Sequence, residues 1–303
     1  MAIVRLLGLA LSHFKTYYYR LTVKPTNDFD KNITFRIVWD RREILKIYND
    51  KVKSLKYAKE LVPTIKHPYR FYETKAIVDI DWKSLPEQFV CKVSHGSGGV
   101  VIVHKNAPEE NTLPSKKREF GWHRLEIPPK NFDSEKACNI FENLIKSTYG
   151  QGLNRRKPEW GYWSPEPRLI IEEFLSLNGK LPPRIECNVI EGEVKTIIAN
   201  YLSYPKLHSY SIDRAVYYDP SKSIESFAQE LQVSRESVQE LIRDSVTITT
   251  DCEYLRIDWL LADEGFIFNE ITTYSGGGNL KKENEPAYRF LSNMWLPKLS
   301  DYR

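Results

Sequence analysis

Near the carboxyl end of the chain, the apolar, β-branched runs Leu255–Leu261 and Phe266–Ile271 are joined across Asp263-Glu264-Gly265. Two strands linked by so short an acid–glycine turn can pair antiparallel. Cys187–Ile190 and Val194–Ala199 repeat the arrangement around Glu191-Gly192. The first hairpin has a chemical consequence. Asp258 lies within one strand and Glu270 at the end of the next. Facing the same side, the two carboxylates form a hard oxygen site suited to magnesium, which binds and polarises nucleotide phosphates. The alternative is a pair of solvated strand-end acids.

The other segments mix helices with strands. Residues 30–62 are helical by the spacing of Ile and Leu, and Pro63 and Pro68 end that pattern. Strands are expected at Ala76–Ile80, Phe89–Val93, Val100–Val103 and Leu169–Glu173, and helices at Ser134–Tyr149, Ser223–Asp244 and 284–296. Residues 105–131 read as a loop or flap, and residues 150–167 as irregular. With 41% hydrophobic residues over 303 positions, the chain can bury the core of one large domain or of a few intimate subdomains. The class expected is α+β. Phe227–Ile242 imitates a helix-turn-helix DNA reader, but Gln232 stands where such turns often carry Gly. Glu236 and Glu240 would also repel phosphates. With a net charge of only +4, no nucleic-acid partner is expected.

Cys91, Cys138, Cys187 and Cys252 are too far apart for a Cys-x-x-Cys clamp and read as reduced thiols of a cytoplasmic protein. No run of apolar residues is long enough to span a bilayer. Residues 1–24 contain no acid but carry Arg5, Lys15, Arg20 and Lys24, while Ile3, Leu7, Ala10, Phe14, Tyr17 and Leu21 share one helical face. Two readings stay open: a helix packed on its own domain, or a basic amphipathic helix lying on the inner face of an anionic membrane.

Lys92 precedes Ser94-His95-Gly96-Ser97-Gly98-Gly99. Glycines let backbone amides approach a phosphate, and a nearby lysine adds charge. The spacing is not that of a P-loop, and no helix follows as a dinucleotide fingerprint requires. A glycine-rich hairpin without function is the competing reading. Further on, Ile170-Ile171-Glu172-Glu173-Phe174-Leu175 is an apolar strand ending in acids, a pattern that can line an adenine slot.

In chain order these features are Asp50-Lys51, Lys92 with its glycine loop, Glu172-Glu173, Arg256-x-Asp258 and Glu270. The series resembles the ATP-grasp superfamily, and within it the TupA-like branch linked to teichuronopeptide and other surface glycans. Leu85–Lys92, His95–Gly99, Pro167–Leu175 and Glu270-Ile271-Thr272 followed by Gly276-Gly277-Gly278 carry the resemblance, which covers about residues 48–290. It implies an ATP-grasp fold, with antiparallel sheets of two subdomains clamping ATP. The domain would occupy residues 46–303, with a glycine-loop subdomain near 85–175 and a metal-binding core near 176–290, after an N-terminal helical segment, 1–45.

It also implies roles. Lys51 and Lys92 would contact phosphates, Ser94 to Gly99 would close over the triphosphate, and Glu172, Glu173, Phe174 and Leu175 would hold adenine. Asp258, Glu270 and Thr272 would hold Mg2+, while Arg256 would steady an acyl phosphate or its oxyanion. Thr272 replaces the Asn common in the superfamily. Arg184-Ile185-Glu186 exchanges the charges usual in the TupA-like branch. The activity implied is ligation of a carboxylate, on an acidic sugar or peptide acceptor, to an amine. The alternatives are a kinase acting on a glycan hydroxyl and a nucleotide-binding glycan-assembly protein without turnover.

Overall fold

The structure is a computed structural model and describes residues 14, 17–147, 149, 159–163, 166–279 and 290–302. The expectations for Ile3 to Ala10, for most of 150–167 and for 284–289 lie outside the described residues.

The predicted helical stretch 30–62 is three helices: α1 Phe29–Trp39, α2 Ile44–Tyr48 and α3 Lys51–Leu61. Aspartates set two of the starts. The Asp28 carboxylate accepts from the Lys31 amide, and that of Asp50 from the amides of Val52 and Lys53. Strands β1 Arg70–Thr74, β2 Phe89–Val93, β3 Val100–Val103, β4 Arg124–Ile127 and β5 Leu169–Glu173 build one sheet in the order β1-β5-β2-β3-β4. Its pairs are antiparallel except β3 with β4. The short helix α4 Lys117–Phe120 precedes β4, and α5 Ser134–Lys146 covers one face of the sheet, enclosing Cys91, Val101, Leu125, Phe141 and Ile171.

Strands β6 Arg184–Ile190, β7 Glu193–Ser203, β8 Ser211–Tyr218, β9 Tyr254–Ala262 and β10 Gly265–Thr272 build a second sheet, all antiparallel, in the order β10-β9-β6-β7-β8. Helices α6 Ile224–Leu231 and α7 Arg235–Ile248 cover it together with α1 and α3. Phe29, Ile33 and Ile37 of α1 are buried in the same core as Val238 and Ile248 of α7. Gln232, between α6 and α7, adopts the left-handed conformation at φ 60° that such a turn demands.

The structure departs from expectation in several places: the helix expected to reach Tyr149 ends at Lys146, and that expected to reach 296 ends at residue 292. Ala76–Ile80 is no strand but a 3-10 turn, Ile77–Asp79: Ile77 and Ile80, three apart, are buried while Val78 is exposed. β1 begins just past Pro68, where the breaker hides it, and β4 lies inside the predicted 105–131 loop. β8 is an edge strand exposed for half its length, so it carries no alternating apolar signal.

Candidate active site

Period-two alternation sorts the first sheet into two faces. Cys91, Val93, Leu125, Leu169 and Ile171 point into the core under α5. Their neighbours Val90, Lys92, Arg124 and Glu172 therefore face the second sheet, and all four line a cleft between the sheets. Lys92 is ion-paired with Glu172, and its Nζ donates to Asn269 Oδ1 of β10 at 3.2 Å. Burial pulls the Lys92 pKa down, against the attraction of Glu172.

The facing side of the second sheet carries a ladder of charges. Glu186, Asp258 and Glu270 are cross-strand neighbours, as are Arg256 and Thr272. Arg184 lies 2.5 Å from Glu186, whose other oxygen is 3.6 Å from Arg256. Arg256 clasps Asp258 with two bonds of 2.6 and 2.7 Å. Glu270 meets Lys51 instead, at 3.1 Å. Lys51 is the first residue of α3. Its Nζ also donates to the Gly96 carbonyl at 3.0 Å, and its amide to Ser94 O at 2.8 Å, so one residue ties the glycine loop to the acid. Desolvation opposes charge on Glu270, yet Lys51 and Arg124 together pull its pKa down to about 2. Desolvation raises Asp258 to about 6, although Arg256 resists.

The cleft has two chambers. One is largely apolar, walled by Val90, Ile102, Leu202 and Leu260 and closed by Glu172, Glu173, Phe174 and Leu175. The other is polar and tyrosine-walled, with Ser97, Arg256, Thr272, Tyr149, Tyr162 and Tyr274. Arg124, Arg184 and Glu270 border both.

Lys51, Lys92, Gly98 and Glu172 through Leu175 thus line the first chamber, while Ser97, Arg256 and Thr272 line the second. Five predicted residues lie outside both chambers: Gly96, whose carbonyl accepts from Lys51, Gly99, whose amide donates to the His123 carbonyl, and three whose side chains point elsewhere. Ser94 is buried and its Oγ accepts from the Arg168 amide at 3.1 Å. His95 is buried against Trp122, with Nε2 3.1 Å from Ser147 O, and desolvation brings its pKa down to about 4. Asp258 is fully buried behind Arg256. The loop passes tightly under Trp122: a Cβ on Gly98, at φ +90°, would lie 1.9 Å from the Trp122 carbonyl.

Arg124 and Asn269 were missed. Arg124 had a signal in the alternation of Arg124-Leu125-Glu126-Ile127, but four residues inside a Pro-rich stretch are a weak one. Asn269 had none, since its role depends on a contact from the other sheet.

Two carboxylates with a hydroxyl, the remaining positions left to phosphate and water, are a donor set that magnesium accepts. Asp258, Glu270 and Thr272 stand on adjacent strands, but Arg256 holds both oxygens of Asp258 and Lys51 is paired with Glu270. Among the described residues no three His, Cys, Asp or Glu side chains form a cage for a metal held by protein alone.

No protein-family model matches the sequence, and no curated protein matches it. Among solved structures, the chain is similar to D-alanine–D-alanine ligase from Bacillus anthracis, at 16% identity and TM-score 0.44 over 82% of this chain and 66% of that one. It is similar to the ATP-grasp ligase PsnB complexed with minimal precursor, Mg and ADP, at 10% and 0.44 over 84% and 60%. A third is the biotin carboxylase domain of Hydrogenobacter thermophilus 2-oxoglutarate carboxylase with MgADP, ADP and bicarbonate, at 13% and 0.44 over 86% and 49%. The chain spans less than two thirds of each of these proteins. At TM-scores below 0.5 the likenesses carry no argument about its activity.

Proposed function

We propose that this chain is an ATP- and magnesium-dependent ligase of the ATP-grasp type, joining a carboxylate to an amine through an acyl phosphate. One observation carries the reading: Lys51, Lys92, Glu270 and Arg256, far apart in sequence, converge on one cleft between two sheets, beside an apolar slot ending at Glu172–Leu175.

In this reading the adenine lies in the apolar chamber, where backbone groups of Glu173 to Leu175 read its edge. Lys92 and Lys51 receive the phosphates, and each must exchange an internal acid for one. Asp258, Glu270 and Thr272 would hold the magnesium, which when bound would supply positive charge for the transferring phosphoryl group. Arg256 must loosen from Asp258 for both oxygens of that acid to serve. The acceptor carboxylate sits in the polar chamber among Arg124, Arg184 and Arg256, and its oxygen attacks the γ-phosphorus as ADP departs. An amine then adds to the acyl carbon, and phosphate leaves to give the amide, with Arg256 supporting the oxyanion. The sequence resemblance to the TupA-like branch supports an acidic sugar or peptide acceptor and a place in cell-surface polysaccharide synthesis.

ATP should raise the melting temperature only when magnesium is present, because a ligand confined to the native state stabilises it. Lys92→Ala and Glu270→Gln should each remove the shift while the unliganded protein still melts cooperatively. No shift with millimolar ATP and magnesium would end the proposal. Phosphate released only when an amine is supplied marks a ligase; phosphate retained on the acceptor would mark a kinase.

A further inference from the structure

We propose that Glu126 is a positioning residue for the apolar slot, holding two of its walls at a fixed separation. The slot is the one that receives adenine in the proposed function, on which this inference rests. Strand alternation sets Glu126 two residues beyond Arg124 on the face of β4 turned to the second sheet, while Leu125 and Ile127 enter the core under α5. Glu126 and His104 are both buried and border a neighbouring cavity, which shares Leu181 and Leu202 with the slot. One carboxylate oxygen accepts from His104 Nε2 at 2.9 Å. His104, the residue after β3, lies flat against Phe174, with ring centroids 5.0 Å apart and planes 8° from parallel. Phe174 lines the slot. The other oxygen accepts from the amide of Tyr204, the residue after β7. Tyr204 and Leu202 line the slot from the second sheet.

A carboxylate only accepts, so both bonds converge on it and the hydrogen of the first sits on Nε2. The backbone around it is pinned as well. The His104 amide donates to the Ile127 carbonyl at 3.1 Å, and Asn111 Nδ2 donates to the carbonyls of Glu126 at 2.8 Å and Pro205 at 3.0 Å. One side chain thus joins β4, the platform beneath Phe174 and the end of β7. The contacts of a flat base with its walls depend steeply on separation: a gap of about 0.5–1 Å forfeits roughly a quarter to a half of the attraction. A clasp of this kind acts on the grip on the base. The phosphates are received by Lys51 and Lys92, and neither lysine is bonded to Glu126 or His104.

Calorimetric titration of the full chain, well below the melting temperature of each variant, should compare MgATP with magnesium tripolyphosphate, which has the phosphates and no base. Glu126→Ala should weaken MgATP about tenfold or more and tripolyphosphate less than about twofold. Glu126→Gln, whose amide can accept from Tyr204 and donate to His104, should stay within about threefold of the wild type for both. His104→Leu keeps an apolar body beneath Phe174 but loses the tether to Glu126. It should weaken MgATP about threefold or more, and it decides the matter if Glu126→Ala does not fold. Equal losses for the two ligands, or MgATP affinity unchanged by Glu126→Ala and His104→Leu, would overturn the inference and leave the nucleotide site standing. A wild type that binds neither ligand would remove the proposed function, and the inference with it.

Discussion

His95 carries two properties that a histidine in a loop does not have in water. It is buried against Trp122, and desolvation lowers its pKa from the ordinary 6.5 to about 4. The neutral ring is therefore part of the fold. The unfolded chain takes up a proton near pH 6.5 and the native one only near 4, so its stabilisation is complete above 6.5 and is lost as the pH falls from there to about 4. The loss is roughly 3 kcal/mol. Urea unfolding measured through this window should show that decline, and His95→Gln should flatten it. A curve equally steep in both proteins would show that other groups drive it. Around the same loop, Lys51 does the work of two residues: its ammonium neutralises Glu270 and its amide holds the strand end at Ser94. This is why the loop and the acid, far apart in sequence, share one position in space.

Among the elements, α1 shows how a helix is locked by one buried charge. Arg36 is fully buried between Asp40 at 3.4 Å and Glu253 at 3.2 Å, and donates to the Tyr254 carbonyl at 2.6 Å. It also lies within 6 Å of the Tyr254 and Trp295 rings, so α1, the start of β9 and the carboxyl-terminal segment meet at one guanidinium. Removing one partner of a buried ionic cluster leaves the others uncompensated. Arg36→Ala should cost about 3–5 kcal/mol, seen as a lower urea midpoint at unchanged slope; a loss near zero would mean that water replaces the cation at no cost. The pair α6–α7 shows a different economy. Its sequence imitates a DNA reader, but Phe227, Leu231, Val238 and Leu241 are spent on the core of the second sheet.

At the scale of the molecule, the two sheets have separate apolar cores, one under α5 and one under α1, α3, α6 and α7. Beside a small apolar cluster of Leu175, Ala262 and Ile267, they meet across the cleft through polar contacts such as Lys92 with Asn269 and Lys51 with Gly96. Such contacts loosen more readily than an apolar seam, so ligand binding should be what draws the sheets together. Magnesium and ATP should accordingly slow hydrogen exchange in β2, β5 and β10 together, with little change in α6 and α7; slowing confined to one sheet would show that the ligand does not bridge them. Much of this arrangement was legible beforehand. The alternation within Phe89–Val93, Leu169–Glu173 and Leu255–Leu261 determined, from the sequence alone, which side chains share a face, because strand periodicity is a local property. It put Lys92 opposite its own core, but in Phe266–Ile271 it would set Glu270 on the face of Phe268, and a bulge between the two turns Glu270 to the side of Asp258. The sequence did not decide what would cover each face. That Arg256 closes over Asp258, that Arg124 reaches the cleft from a four-residue strand, that Ile77 and Ile80 fold under as a turn, and that Phe14 and Leu21 are left in solvent all depend on segments arriving from far along the chain. Burial belongs to the packed whole, and no local pattern contains it.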